Sequence, residues 1–229
     1  TTTTAADGTY GFTNVPVGST TVAINVPANF VNTFDRDGGL DNTSTFTITG
    51  DDLDFDFGIQ GQATIGDTVF NDIDGDGVQD PNEDGISGIV VFVDLDGDGV
   101  RDPNEPTATT DGNGNYTIPG VPANTPLTVV VENPPLDQAT NNPGSVAPIA
   151  PGGTNNDVDF GFRELVNIGD TVFEDRNNNG VQDAGEPGVG GVTVTLTDST
   201  GASNTTTTAA DGTYGFTNVP VGSTTVAIN

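Results

Sequence analysis

The chain has 229 residues, with 33 Asp and Glu against four Arg, no Lys, His, Cys, Met or Trp, and a formal charge of −29. That inventory excludes disulfide staples and soft-metal sites. It removes the imidazole and amine bases on which most catalytic constellations depend, and it leaves too little positive charge to neutralise nucleic-acid phosphates. No apolar span reaches the roughly 18 residues needed to cross a bilayer as a helix, and the crowded carboxylates oppose compaction unless cations offset them.

The chain opens on TTTTAADGTYGFTNVPVGSTTVAIN (1–25), and the same 25 residues return without one change at 205–229. Inside that 204-residue offset lies a diverged repeat, because IGDTVF at 65–70 recurs at 168–173, an offset of 103. The tandem unit is therefore about 100 residues, and two unlike units alternate. Residues 1–61 read as the C-terminal part of a B-type unit, 62–164 as a complete A-type unit, and 165–229 as the N-terminal part of the next B-type unit. The chain begins inside a repeat and reads as a piece of something longer.

Strand-like runs follow one another between Gly, Asn, Asp and Pro clusters: Ile65–Phe70, Ile89–Val93, Tyr116–Ile118, Leu127–Val131, Asp157–Phe162, Val192–Leu196 and Thr224–Ile228. No stretch has useful helical periodicity. Around seven short strands per 100 residues predict an all-β chain of tandem immunoglobulin-like sandwiches. Val192, Val194 and Leu196 alternate with Thr193 and Thr195, which separates a core face from a solvent face. The same alternation puts Val90 and Phe92 on the solvent side of the A-type unit, as ordinary scattered apolar surface, as a covered sheet, or as a lateral or interdomain contact patch. Residues 132–156 read as a long loop or a pair of weak strands. Arg163–Leu165 and Ile59–Thr64 read as short, stiff junctions.

Three 12-residue stretches carry the most explicit chemistry. In the first, Asp72, Asp74, Asp76, Asp80 and Glu83 place side-chain oxygens at loop positions 1, 3, 5, 9 and 12, with Gly77 at the sharp turn and the Val78 carbonyl at position 7. The second repeats this with Asp94, Asp96, Asp98, Gly99, Val100, Asp102 and Glu105, and the third with Asp175, Asn177, Asn179, Gly180, Val181, Asp183 and Glu186. A hard cation needs six to eight oxygens and a bidentate Glu to close the site, and the spacing supplies them. Asp, Asn and Gly also favour plain turns, yet three loops that all keep the Gly and the distal Glu point to metal. The large all-oxygen cage favours Ca²⁺ over Mg²⁺, and about three ions per two-unit repeat are expected. The loops join strands, so they lack the flanking helices of an EF-hand. The first loop follows closely on its opening strand, which places it near a junction that a bound ion would stiffen.

The string IGDTVFNDIDGDGVQDPNEDGISGIVVFVD (65–94), followed by TDGNGNY (110–116) and DVDFGF (157–162), resembles the calcium-binding B-type repeats of serine-aspartate repeat surface proteins of Gram-positive bacteria, themselves related to collagen-adhesin stalk domains. The resemblance implies a prealbumin-like β-sandwich, secreted, and used in tandem as a rigid, calcium-dependent stalk. Asp35, Asp37 and Asp41, in FDRDGGLDN, look like an acidic segment of that family and form either a further site or a plain turn. Two departures matter. The hairpin matching Asp94–Glu105 has become the nearly uncharged TDSTGASN at 197–204, and without Lys no Lys–Asn isopeptide bond can lock the sandwich.

Catalysis has little support, since the clustered carboxylates are already accounted for as ligands and the DFG strings at 56–58 and 159–161 lack the lysine a kinase requires. Identical repetition suits a spacer, each copy doing the same mechanical job. The expected function is a structural segment of a calcium-stabilised surface stalk or extracellular fibre, with neighbouring identical repeats as partners. The alternative is an adhesin or biofilm-matrix module that binds ligands through its loops. A polypeptide continuous through many repeats is favoured over subunits that donate strands, because 1–25 and 205–229 would compete for one place in a close-packed core.

Overall fold

The computed structural model describes residues 1–134 and 136–228, and among them every regular element is a β-strand. The chain divides into two compact units. The first comprises Thr1–Ala63 with the short pieces Pro122–Thr125 and Ile149–Gly153, and the second holds the remainder.

In the first unit, β1 (Gly18–Ala23) pairs antiparallel with β3 (Thr43–Ile48), Val22 facing Ser44 and Thr21 facing Thr45. β2 (Phe30–Asp35) pairs antiparallel with the early part of β4 (Phe57–Asn71), Phe30 opposite Gly61. The pieces at 122–125 and 149–153 are tied in by main-chain bonds, Ala123 N–H to Gly61 and Gly152 N–H to Gln62. A small aromatic core forms where Phe46 and Phe55 meet edge to face, with ring centres 5.9 Å apart. The Arg36 guanidinium lies 4.3 Å from the centre of the Phe46 ring and is held there by Asp52 at 2.9 Å.

β4 runs on through Ile59–Thr64, where a short linker was expected. Alternating Ile59, Gly61, Ala63 and Ile65, with no Pro, let one strand of 15 residues pass without interruption from the first unit into the second.

The second unit continues with β5 (Val90–Asp94), β6 (Thr107–Thr109), β7 (Asn115–Pro122), β8 (Leu127–Glu132), β9 (Gln138–Asn141), β10 (Ser145–Val146), β11 (Thr154–Asn155) and β12 (Phe160–Arg163). One sheet has the order β10-β8-β5-β6. In the other, β4 pairs with β7, β11 and β12, and β12 pairs in turn with β9. Ile65, Val69, Val91, Val93, Ile118, Leu127, Val129, Val158 and Phe160 fill the space between them as a buried core, each such side chain stabilising by roughly 1.5–3 kcal/mol. This is an immunoglobulin-like, prealbumin-type sandwich. Residues 132–156 supply the three short strands β9, β10 and β11. Phe92 is only 1% exposed and Val90 half-buried, so the lateral-patch reading of that face falls and the covered-sheet reading stands.

The same unit ends with β13 (Leu165–Thr171), β14 (Thr193–Thr197), β15 (Ser203–Thr207), β16 (Thr213–Pro220) and β17 (Thr225–Ile228). β13 pairs with β16, and β15-β14-β17 form a second sheet. Val194, Leu196, Phe216 and Val219 make its core, with Val166, Ile168, Val172 and Tyr214 packed against it. The register copies the preceding sandwich. Val91 faces Val131 and Val93 faces Val129 there, while Val194 faces Ile228 and Leu196 faces Val226 here.

Candidate metal centres

All three loops fold on one hydrogen-bond plan, and the plan follows from their spacing. In the first, Asp72 turns both oxygens inward to accept the Gly75 and Gly77 N–H groups at 2.6 and 2.8 Å. Gly75 and Gly77 sit at φ +79° and +80°, a conformation that leaves no room for a side chain at low cost. Asp74 accepts from Asp76 N–H and Asp76 from Val78 N–H, so each acidic side chain braces the residue two further on. Glu83 folds back across the loop, and its two oxygens take the N–H groups of Ile73 at 2.6 Å and Asp80 at 3.0 Å.

The second loop repeats every one of these contacts: Asp94 with Gly97 and Gly99, Asp96 with Asp98, Asp98 with Val100, and Glu105 with Leu95 and Asp102. The third keeps the frame, with Asp175 accepting from Asn179 and Gly180, and Glu186 from Arg176 and Asp183. There the Asn177 and Asn179 amides donate to Asp183 at 2.7 and 2.8 Å, so two neutral groups stand where the other loops carry acids.

Five of the six end residues are buried, Asp72 fully enclosed and Glu83, Asp94, Glu105 and Glu186 each at most 8% exposed, while Asp175 is only half-buried. Oxygens of Asp72, Asp74 and Asp76 lie within 4.8 Å of one another, as do oxygens of Asp94, Asp96 and Glu105. Asp72, Asp94 and Glu105 are buried and Asp74, Asp76 and Asp96 exposed, and enclosed carboxylates with others gathered this closely are costly without a counter-charge. Asp96 registers the crowding. The Asp98 N–H pulls its carboxyl down, but burial together with the charges of Asp98, Asp102 and Glu105 leaves it above the ordinary value. Hard oxygen donors converging without nitrogen or sulfur fit a cation such as Ca²⁺. The isopropyl groups of Val78, Val100 and Val181 are 60–63% exposed, so what these positions offer a loop is their main chain.

The first loop is anchored to the closing strand of its own sandwich, since Asp72 N–H donates to the Phe162 carbonyl at 2.8 Å. Asn71 and Ile73 share a cleft of about 180 Å³ with Leu136, Arg163, Glu164 and Val221. There Leu165 N–H reaches Asp137 and Val221 N–H reaches the Glu164 carbonyl, so the loop stands where the sandwich passes into β13–β17. At Asp35, Asp37 and Asp41 the acidic side chains mainly brace a turn, accepting from Asn32, Gly39, Asp41, Thr43 and Thr45.

Two features escape a reading of spacing alone. Gly85 crosses Gly114 so closely that a β-carbon on Gly85 would overlap the Asn113 carbonyl, and Gly188 crosses Gly212 in the same way. Each crossing fixes the segment that leaves a calcium-type loop, and its trace in the sequence is a glycine kept in both repeats. Asp67 and Asp159 form the second feature: burial and then the Asp159 charge push the Asp67 carboxyl up. Burial, followed by the charges of Asp159 and Asp67, also raises the nearby Tyr116 hydroxyl, which donates to the Val158 carbonyl. Its sequence signal is the pairing of an opening IGD with a closing DFG.

The family model described as SdrD B-like domain matches residues 63–162 and 166–229. Serine-aspartate repeat-containing protein F of Staphylococcus epidermidis is 35% identical over 98% of this chain, and serine-aspartate repeat-containing protein D of Staphylococcus aureus strain Newman is 34% identical over 96%. The chain spans 14% and 18% of the lengths of those relatives. Solved structures that align with it include the Bacillus anthracis TIE protein, 13% identical with a TM-score of 0.34 over 94% of this chain and 46% of that one. A streptococcal ancillary pilin aligns at 12% identity and a TM-score of 0.34 over 93% of this chain and 66% of its own. With the family model covering most of its length, and nearly all of this chain aligning with a part of each relative, the chain belongs to the SdrD B-like domain family.

Proposed function

We propose that this chain is a structural repeat segment of a secreted, calcium-stabilised surface stalk or fibre, built of alternating sandwich units with the divisions 1–61, 62–164 and 165–229. The observation that carries this reading is one loop plan used three times, each time with a buried Glu folded back to close an oxygen cage. The proposed ligands are Asp72, Asp74, Asp76, Val78, Asp80 and Glu83; Asp94, Asp96, Asp98, Val100, Asp102 and Glu105; and Asp175, Asn177, Asn179, Val181, Asp183 and Glu186. Val78, Val100 and Val181 act through their carbonyls. A cation held there supplies charge neutralisation at the point of strongest repulsion. Asp72 and Glu83 then tie the opening strand to the closing strand through the Phe162 contact, and this stiffens the passage into the next unit.

Calcium titration by calorimetry tests the assignment. The reading expects three ions per chain, two after Glu83→Ala, and no change in stoichiometry after Asp52→Ala, which lies outside the loops. A chain that binds no calcium, or a Glu83→Ala variant that still binds three ions, overturns it.

A further inference from the structure

We infer that the loops at 72–83 and 94–105 each carry a self-cleaving main-chain bond, Asp80–Pro81 and Asp102–Pro103, broken by the aspartate's own side chain and guarded by the cation its loop holds. These are the only Asp–Pro pairs in the sequence, and both stand at loop positions 9 and 10. In the third loop the same place is taken by Asp183–Ala184. Proline suits the second position of a tight turn, but the turn does not require it. All three loops close it alike, with Glu83 N–H on the Asp80 carbonyl at 2.9 Å, Glu105 N–H on that of Asp102 at 3.1 Å, and Glu186 N–H on that of Asp183 at 3.0 Å. Alanine serves there as well as proline.

Each scissile carbonyl is polarised, because the Glu83 and Glu105 N–H groups point at the oxygen that takes up negative charge when a nucleophile adds. Each aspartate is also clamped, since the same two glutamates accept the Asp80 and Asp102 N–H groups at 3.0 and 2.9 Å. Its side chain, by contrast, is loose. The Asp80 and Asp102 carboxylates are exposed and make no hydrogen bond among the described residues. The Asp183 carboxylate is taken up by the Asn177 and Asn179 amides at 2.7 and 2.8 Å.

A carboxylate oxygen of Asp80 reaches its own main-chain carbonyl carbon by closing a succinic-anhydride ring, an attack that needs no second molecule. The new C–O bond forms as the C–N bond to Pro81 breaks. The electron pair leaves on the proline nitrogen, which takes a proton from water; as part of a tertiary amide, that nitrogen departs as a basic secondary amine. Water then opens the anhydride, so one water is consumed and the chain ends at Asp80 and begins again at Pro81. The guard, unlike the cut, rests on the proposed calcium ligands: a carboxylate held on a cation is withheld from its carbonyl. The first cut falls between β4 and β5 and the second between β5 and β6, so the pieces stay paired within their sheets until the chain is denatured.

The test is to hold the full chain below its melting transition at about pH 6, where ordinary carboxylates stay ionised, then denature it and weigh the products by mass spectrometry. In chelator the expected pieces end at Asp80 and Asp102 and begin at Pro81 and Pro103, with no cut at Asp183–Ala184. Calcium a hundredfold above the dissociation constant should slow both cuts by up to about a hundredfold, in proportion to the loops left empty. Pro81→Ala keeps every proposed ligand and should abolish the first cut while the second continues. Asp80→Glu keeps the charge and should slow the first cut about tenfold or more, as expected when a nucleophile is displaced by about 1 Å. An uncut chain in chelator, or a first cut that persists in Pro81→Ala or runs undiminished in Asp80→Glu, overturns the self-cleavage. Cuts that proceed equally in calcium and in chelator leave the cleavage standing and overturn the guard, and with it the assignment of Asp80 and Asp102 as ligands.

Discussion

Residues 1–25 and 205–229 have one sequence and two structures, and the contrast separates what a segment decides for itself from what its partners decide. The tight turn is the same in both. Gly8 and Gly212 share φ +84°, Asp7 and Asp211 accept from the same Thr N–H and hydroxyl two residues on, and Asn14 and Asn218 sit at φ +59° and +56°. Even the edge-to-face pairs match, Tyr10 with Phe12 and Tyr214 with Phe216, at 6.2 Å each. The strand does not survive the change of place. Thr213–Pro220 is β16, held by β13, whereas residues 9–16 form no strand. Phe12 is 48% exposed and Val15 42%, against 8% and 4% for Phe216 and Val219. Turn chemistry is local, because side chain and backbone meet within four residues; a ladder needs a second strand.

Single substitutions placed at matched positions should break this comparison in a predictable order. Phe216→Ala should cost about 3–5 kcal/mol, as expected for emptying a packed aromatic site, while Phe12→Ala should stay within about 0.5 kcal/mol, as for surface changes; thermal melts of the two variants measure the gap. Gly212→Ala comes next. Both glycines require the left-handed conformation, worth about 1 kcal/mol to any other residue, but a β-carbon on Gly212 also meets the Val172 carbonyl, whereas Gly8 has open space around it. The clash adds about 1–3 kcal/mol at Gly212 only.

The three acidic loops extend the comparison to the two repeats. Glu83→Ala should cost up to about 2.7 kcal/mol more when free calcium is a hundredfold above the dissociation constant than in chelator, where only its hydrogen bonds to Ile73 and Asp80 are lost. Glu186→Ala should follow the same rule at a higher calcium concentration, because Asn177 and Asn179 replace two carboxylates in its loop. Denaturant melts across a calcium series read both.

The smallest effect concerns pH. The folded Asp67 carboxyl stands above its unfolded value because of burial first and Asp159 second. Between those two values the folded chain holds more protons than the unfolded one. That stabilisation is complete below the unfolded value and is lost as pH rises through the folded one. In chelator, Asp67→Asn should therefore raise the melting temperature slightly at neutral pH, with the gain fading as pH falls towards about 4.

Much of this was legible in the sequence, for physical reasons that also mark where legibility stops. The fold of the three loops was readable because each bracing contact is local, and runs such as Leu127–Val131 declare strands by their β-branched alternation. Thr-rich β15 and the polar β9 carry no such signal; their strand state comes from pairing with β14 and β12. Ile59–Thr64 looked like a junction because strand and short linker have similar composition, and only pairing with β2 and β11 distinguishes them. Alternation puts Phe92 on the face opposite Val91 and Val93, yet period-2 reasoning says nothing about what covers that face. The Gly85–Gly114 crossing brings together positions 29 residues apart, beyond the reach of any local pattern.

The central claim is that folding and calcium are coupled through these loops. Thermal unfolding of the 229-residue chain in about 1 mM calcium, in the range of extracellular sites, and again in excess chelator tests it most directly. The account predicts a large fall in melting temperature on chelation, reversed by adding calcium back. The same transition in both conditions would contradict it and leave the three loops as acidic turns.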